Sequence, residues 1–345
     1  MSTRKSTGVE SAVMETSTRG KPRRLLHGIP GFVVRRSLLG IVTLLLVSVV
    51  VFAATQALPG DAARAILGRN ATPESLAALR HQLNLDQPVV TQYTRWLSRF
   101  VTGDLGQSLA AQQPVTEVLG KRVQNSAVLV LLAALISTPL SIILGALSAR
   151  RRDGPADHLI SLVVLGLAAL PEFVVGLGLV ALLGTTVFPV LPPVSIIPPG
   201  DPAWHHLTAL VLPVLTLVIA VTPYTARIMR GSMIEILESE YVEMARLKGV
   251  SERNVVWRHA APNALAATIQ ATALNLAYLT GGIVVVEYVF GYAGLGSALV
   301  DGVQNRDLPV IQGVAMLIAT VYVVLNIVAD VGSILVSPRR RTSLP

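Results

Sequence analysis

Glu240-Tyr-Val-Glu-Met-Ala-Arg-Leu-Lys-Gly249, then Val250 to Arg258, then His259-Ala-Ala-Pro262-Asn263, is a polar island between two long apolar runs. A membrane chain has little use for a charged, helix-forming segment with a glycine break at that place unless something docks on it. Glu243 to Lys248 read as a helix, which Gly249 ends as glycine does at a C-cap. Ser251 and Glu252 start a second short helix, with the Ser251 oxygen as its N-cap. The island thus reads as helix, glycine, helix: a knob on one membrane face. The plainer reading is an ordinary amphipathic surface helix.

Outward from the island the chain has membrane composition. Of its 345 residues 52% are apolar and 14% charged, and its mean hydropathy is +0.61, values that exclude most soluble classes. A bilayer crossing needs about 20 apolar residues. Six runs qualify: Leu38 to Leu58, Ala127 to Ala149, Leu159 to Leu183, Leu207 to Ala226, Ala264 to Val286 and Val310 to Val336. The fold class is therefore an all-α polytopic membrane protein with six transmembrane helices.

The net charge of +8 first suggests nucleic acid or anionic lipid. Its placement favours the membrane and argues against nucleic acid. Arginines and lysines cluster beside the spans: Arg23, Arg24, Arg35 and Arg36; Arg150, Arg151 and Arg152; Arg227, Arg230, Arg246, Lys248, Arg253 and Arg258; Arg339, Arg340 and Arg341. Six crossings put all four clusters on one side, which the positive-inside rule makes cytoplasmic. Both termini and the island then lie inside. With no cysteine, the chain offers no disulfide framework and no thiolate metal site.

The expected organisation is a basic, disordered tail over 1–30, a first span over 31–58, an extracytoplasmic helical insert over 59–126, a five-helix core over 127–336 and a basic tail over 337–345. The core includes a cytoplasmic loop over 227–263. Ala-Thr-Gln-Ala57 looks like a signal cleavage site, but the apolar run before it exceeds a signal h-region, so the span is expected to stay attached. Within the insert, Thr72-Pro73-Glu74 starts a helix that repeats Leu76, Leu79 and Leu83. Pro88 opens another, with Tyr93, Trp96, Leu97 and Phe100 on one face. The insert reads equally as a docking surface or lid and as a spacer.

The island's spacing resembles the loop of ATP-binding-cassette importer permeases, written E-A-A-x-x-x-G, nine residues, then I-x-L-P. Glu243, Ala245, Gly249 and Pro262 fall in place, while Met244, His259 and Ala261 replace the first Ala, the Ile and the Leu. Those departures match the peptide-permease form of the loop, "A-R-A-K-G" followed by "R-H-A … N-A". The resemblance extends through Leu58-Pro59-Gly60-Asp61, Gly103-Asp104-Leu105-Gly106-Gln107-Ser108, Pro114-Val115-Thr116, Gly281-Gly282 to Glu287, Gly294-Leu-Gly296, Arg306-Asp307-Leu-Pro309 and Pro338-Arg339. It is to the dipeptide/oligopeptide subunit with the large outside insert, and it implies the type I importer permease fold. It also implies an ATPase-coupling role for Glu240, Glu243, Ala245, Arg246, Lys248, Gly249, Arg258, His259, Pro262 and Asn263. The implied partners are a homologous second permease, two cytoplasmic ATPases carrying the ATP and Mg, an extracytoplasmic peptide-binding protein and membrane lipid.

Other motifs point away from chemistry on this chain. There is no G-x-x-x-x-G-K-[ST] phosphate loop, so no ATP hydrolysis is expected here. Gly291, Gly294 and Gly296 read as a tight outer turn. The His205-His206 pair lacks a third ligand, and His259 reads as a packing or hydrogen-bonding residue. No cofactor and no metal is expected on this chain. Inside the spans, Glu172 beside Pro171 is costly unless it faces a cavity or stays protonated. Glu172, Gln270 and Asn275 are the candidates to line a path, with a structural role equally open for Glu172. Asn326 and Asp330 read better as helix locks.

The expected function is a non-catalytic permease subunit of an ATP-driven importer of di- or oligopeptides, supplying half of the path. Importers of nickel chelates or glutathione have similar permeases. An ion-driven secondary transporter is the main alternative; it would need inverted repeats and leaves the island without a task. A third reading is a membrane scaffold or receptor working through the outside insert.

Overall fold

The computed structural model describes residues 29–57, 67, 72–82, 86–198 and 201–336. The N-terminal tail to residue 28, Leu58-Pro59-Gly60-Asp61, Leu83 and the C-terminal arginines lie outside the described residues. The described chain is helical: α1 (Ile29–Gln56), α2 (Pro73–Gln82), α3 (Val89–Val101), α4 (Val115–Arg150), α5 (Pro155–Ala168), α6 (Glu172–Leu179), α7 (Leu207–Leu237), α8 (Glu240–Leu247), α9 (Glu252–Asn254), α10 (Ala261–Val289), α11 (Leu295–Asn305) and α12 (Leu308–Val336). Four of these are long and apolar enough to cross a membrane as single helices, and two bent pairs raise the number of crossings to as many as six.

The bent pairs show that two of the six expected spans are sharply broken. The third span, read as continuous over Leu159 to Leu183, breaks between α5 and the segment Glu172–Thr185 at an angle of 102°. Pro171 is the cause: it has no N–H to continue the α5 ladder and its ring opposes the preceding turn. Beyond α6 the chain relaxes into a wide π turn over Val180–Thr185. The fifth span bends by 55° between Thr268–Leu276 and Gly281–Val289. The second span begins a dozen residues early, because Val115 to Ser126 are the first turns of α4 rather than the end of the insert. The fourth likewise runs on to Leu237, so the start of the 227–263 loop is helix.

α4 and α7 form the spine. Gly145 makes their close approach possible: a Cβ there would lie 2.7 Å from both the Ala226 carbonyl oxygen and Met229 Cβ. Leu129, Ala133, Leu210, Leu217, Leu279 and Ile283 fill the core where α10 joins them. α7 carries Pro213 and Pro223 without breaking. Pro213 brings no N–H to the Ala209 carbonyl, and Ser195 donates to it instead at 2.5 Å, satisfaction of the kind that makes membrane proline tolerable; further along, Ser141 donates to the Thr222 carbonyl at 3.2 Å and Asn275 to the Val221 carbonyl at 3.1 Å. α1 packs against α12, with Arg36 paired to Asp330 at 3.0 Å. Asn326 instead donates to Tyr322 of its own helix. The rest of α1 presents apolar side chains such as Leu38, Leu46 and Val50 outward.

Two polar knots tie the ends of the bundle. In one, Asp157 at the start of α5 accepts from Arg230 of α7 through Nε at 2.8 Å and Nη2 at 2.7 Å. It also accepts from Ser148 of α4 and from the Asp153 N–H at 3.0 Å. In the other, buried Glu287 of α10 accepts from Ser126 of α4 at 2.5 Å and from the Gly296 N–H at 2.6 Å. A carboxylate suits the positive N-terminal end of α11. That helix replaces the tight turn expected around Gly294 and Gly296; the turn is confined to Phe290 to Gly294, with Gly291 at φ +61. Buried Tyr292 donates to the Asn125 carbonyl at 2.8 Å. Burial first, and the Glu287 carboxyl second, push its phenol above the ordinary value, so it stays a neutral donor.

In the insert, Thr72 caps α2 by accepting from the Ser75 N–H at 3.2 Å. The aromatic face of α3 lies on the end of α1: Phe52 meets Tyr93 at 5.4 Å and Trp96 at 5.7 Å between ring centroids, and Ser48 bonds the Tyr93 hydroxyl at 2.8 Å.

Candidate functional site

The polar island folds as α8, a glycine turn, α9 and a π turn over Val255–Ala260 that runs directly into α10. Glycine is required at the turn. Gly249 has φ +79, a left-handed conformation that costs little only without a Cβ. Its N–H bonds the Arg246 carbonyl at 2.9 Å, and the Val250 N–H bonds the Ala245 carbonyl at 3.2 Å. Those two bonds are the Schellman arrangement, which satisfies carbonyls that the end of α8 would otherwise leave bare.

The second half of the island departs from expectation. Ser251 precedes α9 in an extended conformation, but its side-chain oxygen makes no capping bond. The role passes to a side-chain pair: Arg246 donates to Glu252 at 2.6 Å and to the Leu237 carbonyl at 3.2 Å, tying α8, α9 and the end of α7 together. α9 is three residues long, so the knob is one free helix and a continuous run into the fifth span. Pro262 sits in the first turn of α10, where its missing N–H costs nothing of that helix, and the π turn lies just before it.

α8 is anchored from one side. Val242 and Ala245 are buried, and Val256, Ala260 and Ala261 pack with Met229, Met233 and Ala149 at the end of the spine. Glu240, Glu243, Arg246, Lys248, Gly249 and Arg258 are exposed. His259 is half-buried and its Nδ1 meets the Tyr241 hydroxyl at 2.8 Å, while Asn263 donates to the His259 carbonyl at 2.7 Å. His259 thus ties the π turn to α8, while Asn263 remains exposed. Between the charges lie Tyr241, Met244, Leu247 and Trp257, with Leu247 77% exposed. An exposed apolar patch rimmed by charge is the form of a protein-docking surface. Tyr241 and Trp257 escaped the sequence reading because they belong to no part of the motif.

The expected path residues separate. Asn275 donates to the Thr225 hydroxyl at 2.5 Å as well as to the Val221 carbonyl, so it clamps α10 to α7. Gln270 is half-buried one turn and more away on α10. Neither lines the cavity at Glu172 among the described residues. Glu172 is the first residue after the break in the third span, and it lines one cavity with Tyr278, which lies at the bend of the fifth. Tyr278 carried no signal in the sequence. His206 meets Asp201 at 3.2 Å, and no group of three metal-ligating side chains occurs among the described residues.

The family model described as binding-protein-dependent transport system inner membrane component matches residues 112–342, and the model for the N-terminal part of such components matches residues 29–142. The chain is 35% identical over 310 residues to a putative peptide transport system permease protein of Brucella abortus, covering 90% of this chain and 98% of that one. It is 32% identical over 312 residues to a probable peptide ABC transporter permease of Sinorhizobium fredii, covering 90% and 99%. It is 36% identical over 310 residues to the glutathione transport system permease protein GsiC of Salmonella paratyphi A, covering 89% and 98%.

Proposed function

The chain belongs to the binding-protein-dependent transport system inner membrane components, and from that premise we propose that it is the permease subunit of an ATP-driven importer of peptides. The observation that carries the mechanism is α8 with Val242 and Ala245 buried and its other face free. A cytoplasmic ATPase seats on Tyr241, Met244, Leu247 and Trp257, while Glu243, Lys248 and Arg258 at the rim set its orientation. Closure of the ATPases on ATP pushes α8. The Arg246 bonds to Leu237 and Glu252 pass that motion to α7 and α10 together. The bundle then moves between inward and outward openings, with ATP shifting the balance of states.

In this reading the chain performs no covalent chemistry, and ATP and Mg belong to two ATPase partners. A second permease completes the path, and an extracytoplasmic binding protein delivers substrate to the outer face. The island, both termini and the Asp157–Arg230 knot are cytoplasmic; the insert and the Glu287 knot are outside.

Glutathione is the second substrate to test, because one of the relatives is named for it. With the complex reconstituted in liposomes, a tripeptide such as tri-alanine is expected to stimulate ATP hydrolysis and to accumulate. Stimulation by glutathione alone would move the substrate assignment, and failure of any solute to stimulate ATP hydrolysis would overturn the importer reading.

A further inference from the structure

We infer that the cavity at Glu172 is a binding site for a protonated primary amine carried by the transported solute. The inference takes only the identity of the solute from the importer reading; the site itself rests on geometry. Two spans are broken, and they meet there. The 102° break ends immediately before Glu172, and the 55° bend lies between Leu276 and Gly281, around Tyr278. Irregular backbone at membrane depth is tolerated where it is buried in protein or lines a cavity. A cavity of about 250 Å³ occupies the junction, walled by Pro171, Phe173, Ala220 and Val285 around Glu172 and Tyr278.

The chemistry of the cavity is one-sided. A carboxylate has about four acceptor positions, and the other polar side chain among the described residues that line the cavity is the Tyr278 phenol. Every ion pair among the described residues lies elsewhere. Gly282 comes so close that a Cβ on it would lie 2.9 Å from Glu172 Oε1, which fixes the carboxyl against α10. An ammonium group, with three donors and one charge, matches this set of acceptors. A carboxylate or phosphate of the solute does not.

The chain's lack of cysteine supplies the test. In the assembled complex, Ala220→Cys places one thiol of this chain in the cavity wall, and its labelling by a small thiol reagent is followed by mass. Propylammonium at millimolar concentration is expected to slow labelling at least several-fold, and propanol to leave it unchanged. Adding Glu172→Gln should abolish the protection while keeping the size of the side chain; Glu172→Asp should retain part of it. Protection that persists in Glu172→Gln, or that propanol matches, overturns the site, as does its absence with Glu172 intact. Tri-alanine uptake is measured on the same preparations: a complex that shows amine protection yet moves no peptide refutes the peptide reading and leaves the site standing.

Discussion

At the level of single residues, Gly249 and Asp157 carry tasks that no other side chain fills. Gly249 has open space around the position of a Cβ, so a substitution there is opposed by its left-handed backbone and by whatever docks on it. Gly249→Asp is expected to leave the protein inserted at near-normal level while ATP hydrolysis by the complex loses its dependence on substrate. Transport-linked hydrolysis at the wild-type rate in that variant would remove the coupling role from the loop; Glu243→Lys should behave in the same way. Asp157 differs in kind. Its side chain is 3% exposed and Arg230 is partly open to solvent, so Asp157→Ala leaves a half-buried guanidinium unpaired at a cost of about 3 kcal/mol. The expected result is a lower unfolding temperature in detergent, partly restored by adding Arg230→Met; an unchanged melt would demote the knot to a surface contact.

Among the elements, the α4–α7 contact is the one that space alone decides. Gly145→Val would press a side chain into the Ala226 carbonyl and Met229, and overpacking of this kind costs about 1–3 kcal/mol. Gly120 lies on the same helix with nothing within 4 Å of the place a methyl group would take, so Gly120→Ala should be neutral or slightly stabilising. A thermal melt that drops for Gly145→Val and not for Gly120→Ala checks both arguments; equal melts would mean that the spine yields. Element ends were the least legible from sequence. The start of α4 was hidden because Val115 to Ser126 are polar enough to resemble an outside segment, and helical hydrogen bonds continue where hydropathy fades. The break at Pro171 was legible as a kink, but not its size, since a proline's effect depends on what packs around the freed turn.

For the molecule as a whole, topology is the property on which the functional reading rests. Single cysteines at Ser75 in α2 and Ser251 beside α9 should label oppositely in intact cells: Ser75→Cys with an impermeant reagent added outside, Ser251→Cys only after permeabilisation. The reverse pattern would invert the orientation and separate the island from any cytoplasmic ATPase. The order of residues was enough to establish the membrane class, the six apolar runs, the clustering of the basic residues beside them and the glycine-terminated helix of the island. Each follows from local physics: the bilayer's thickness sets the length of a run, leaflet charge sorts arginine, and a left-handed turn selects glycine. Which polar residues meet was settled only by packing in three dimensions. Asn275 became a clamp, Glu287 and Asp157 became hubs joining three helices each, and Glu172 came to share a cavity with Tyr278, more than a hundred residues away. Those partnerships depend on how the rods cross and where they bend, and neither is written in the hydropathy of any one of them.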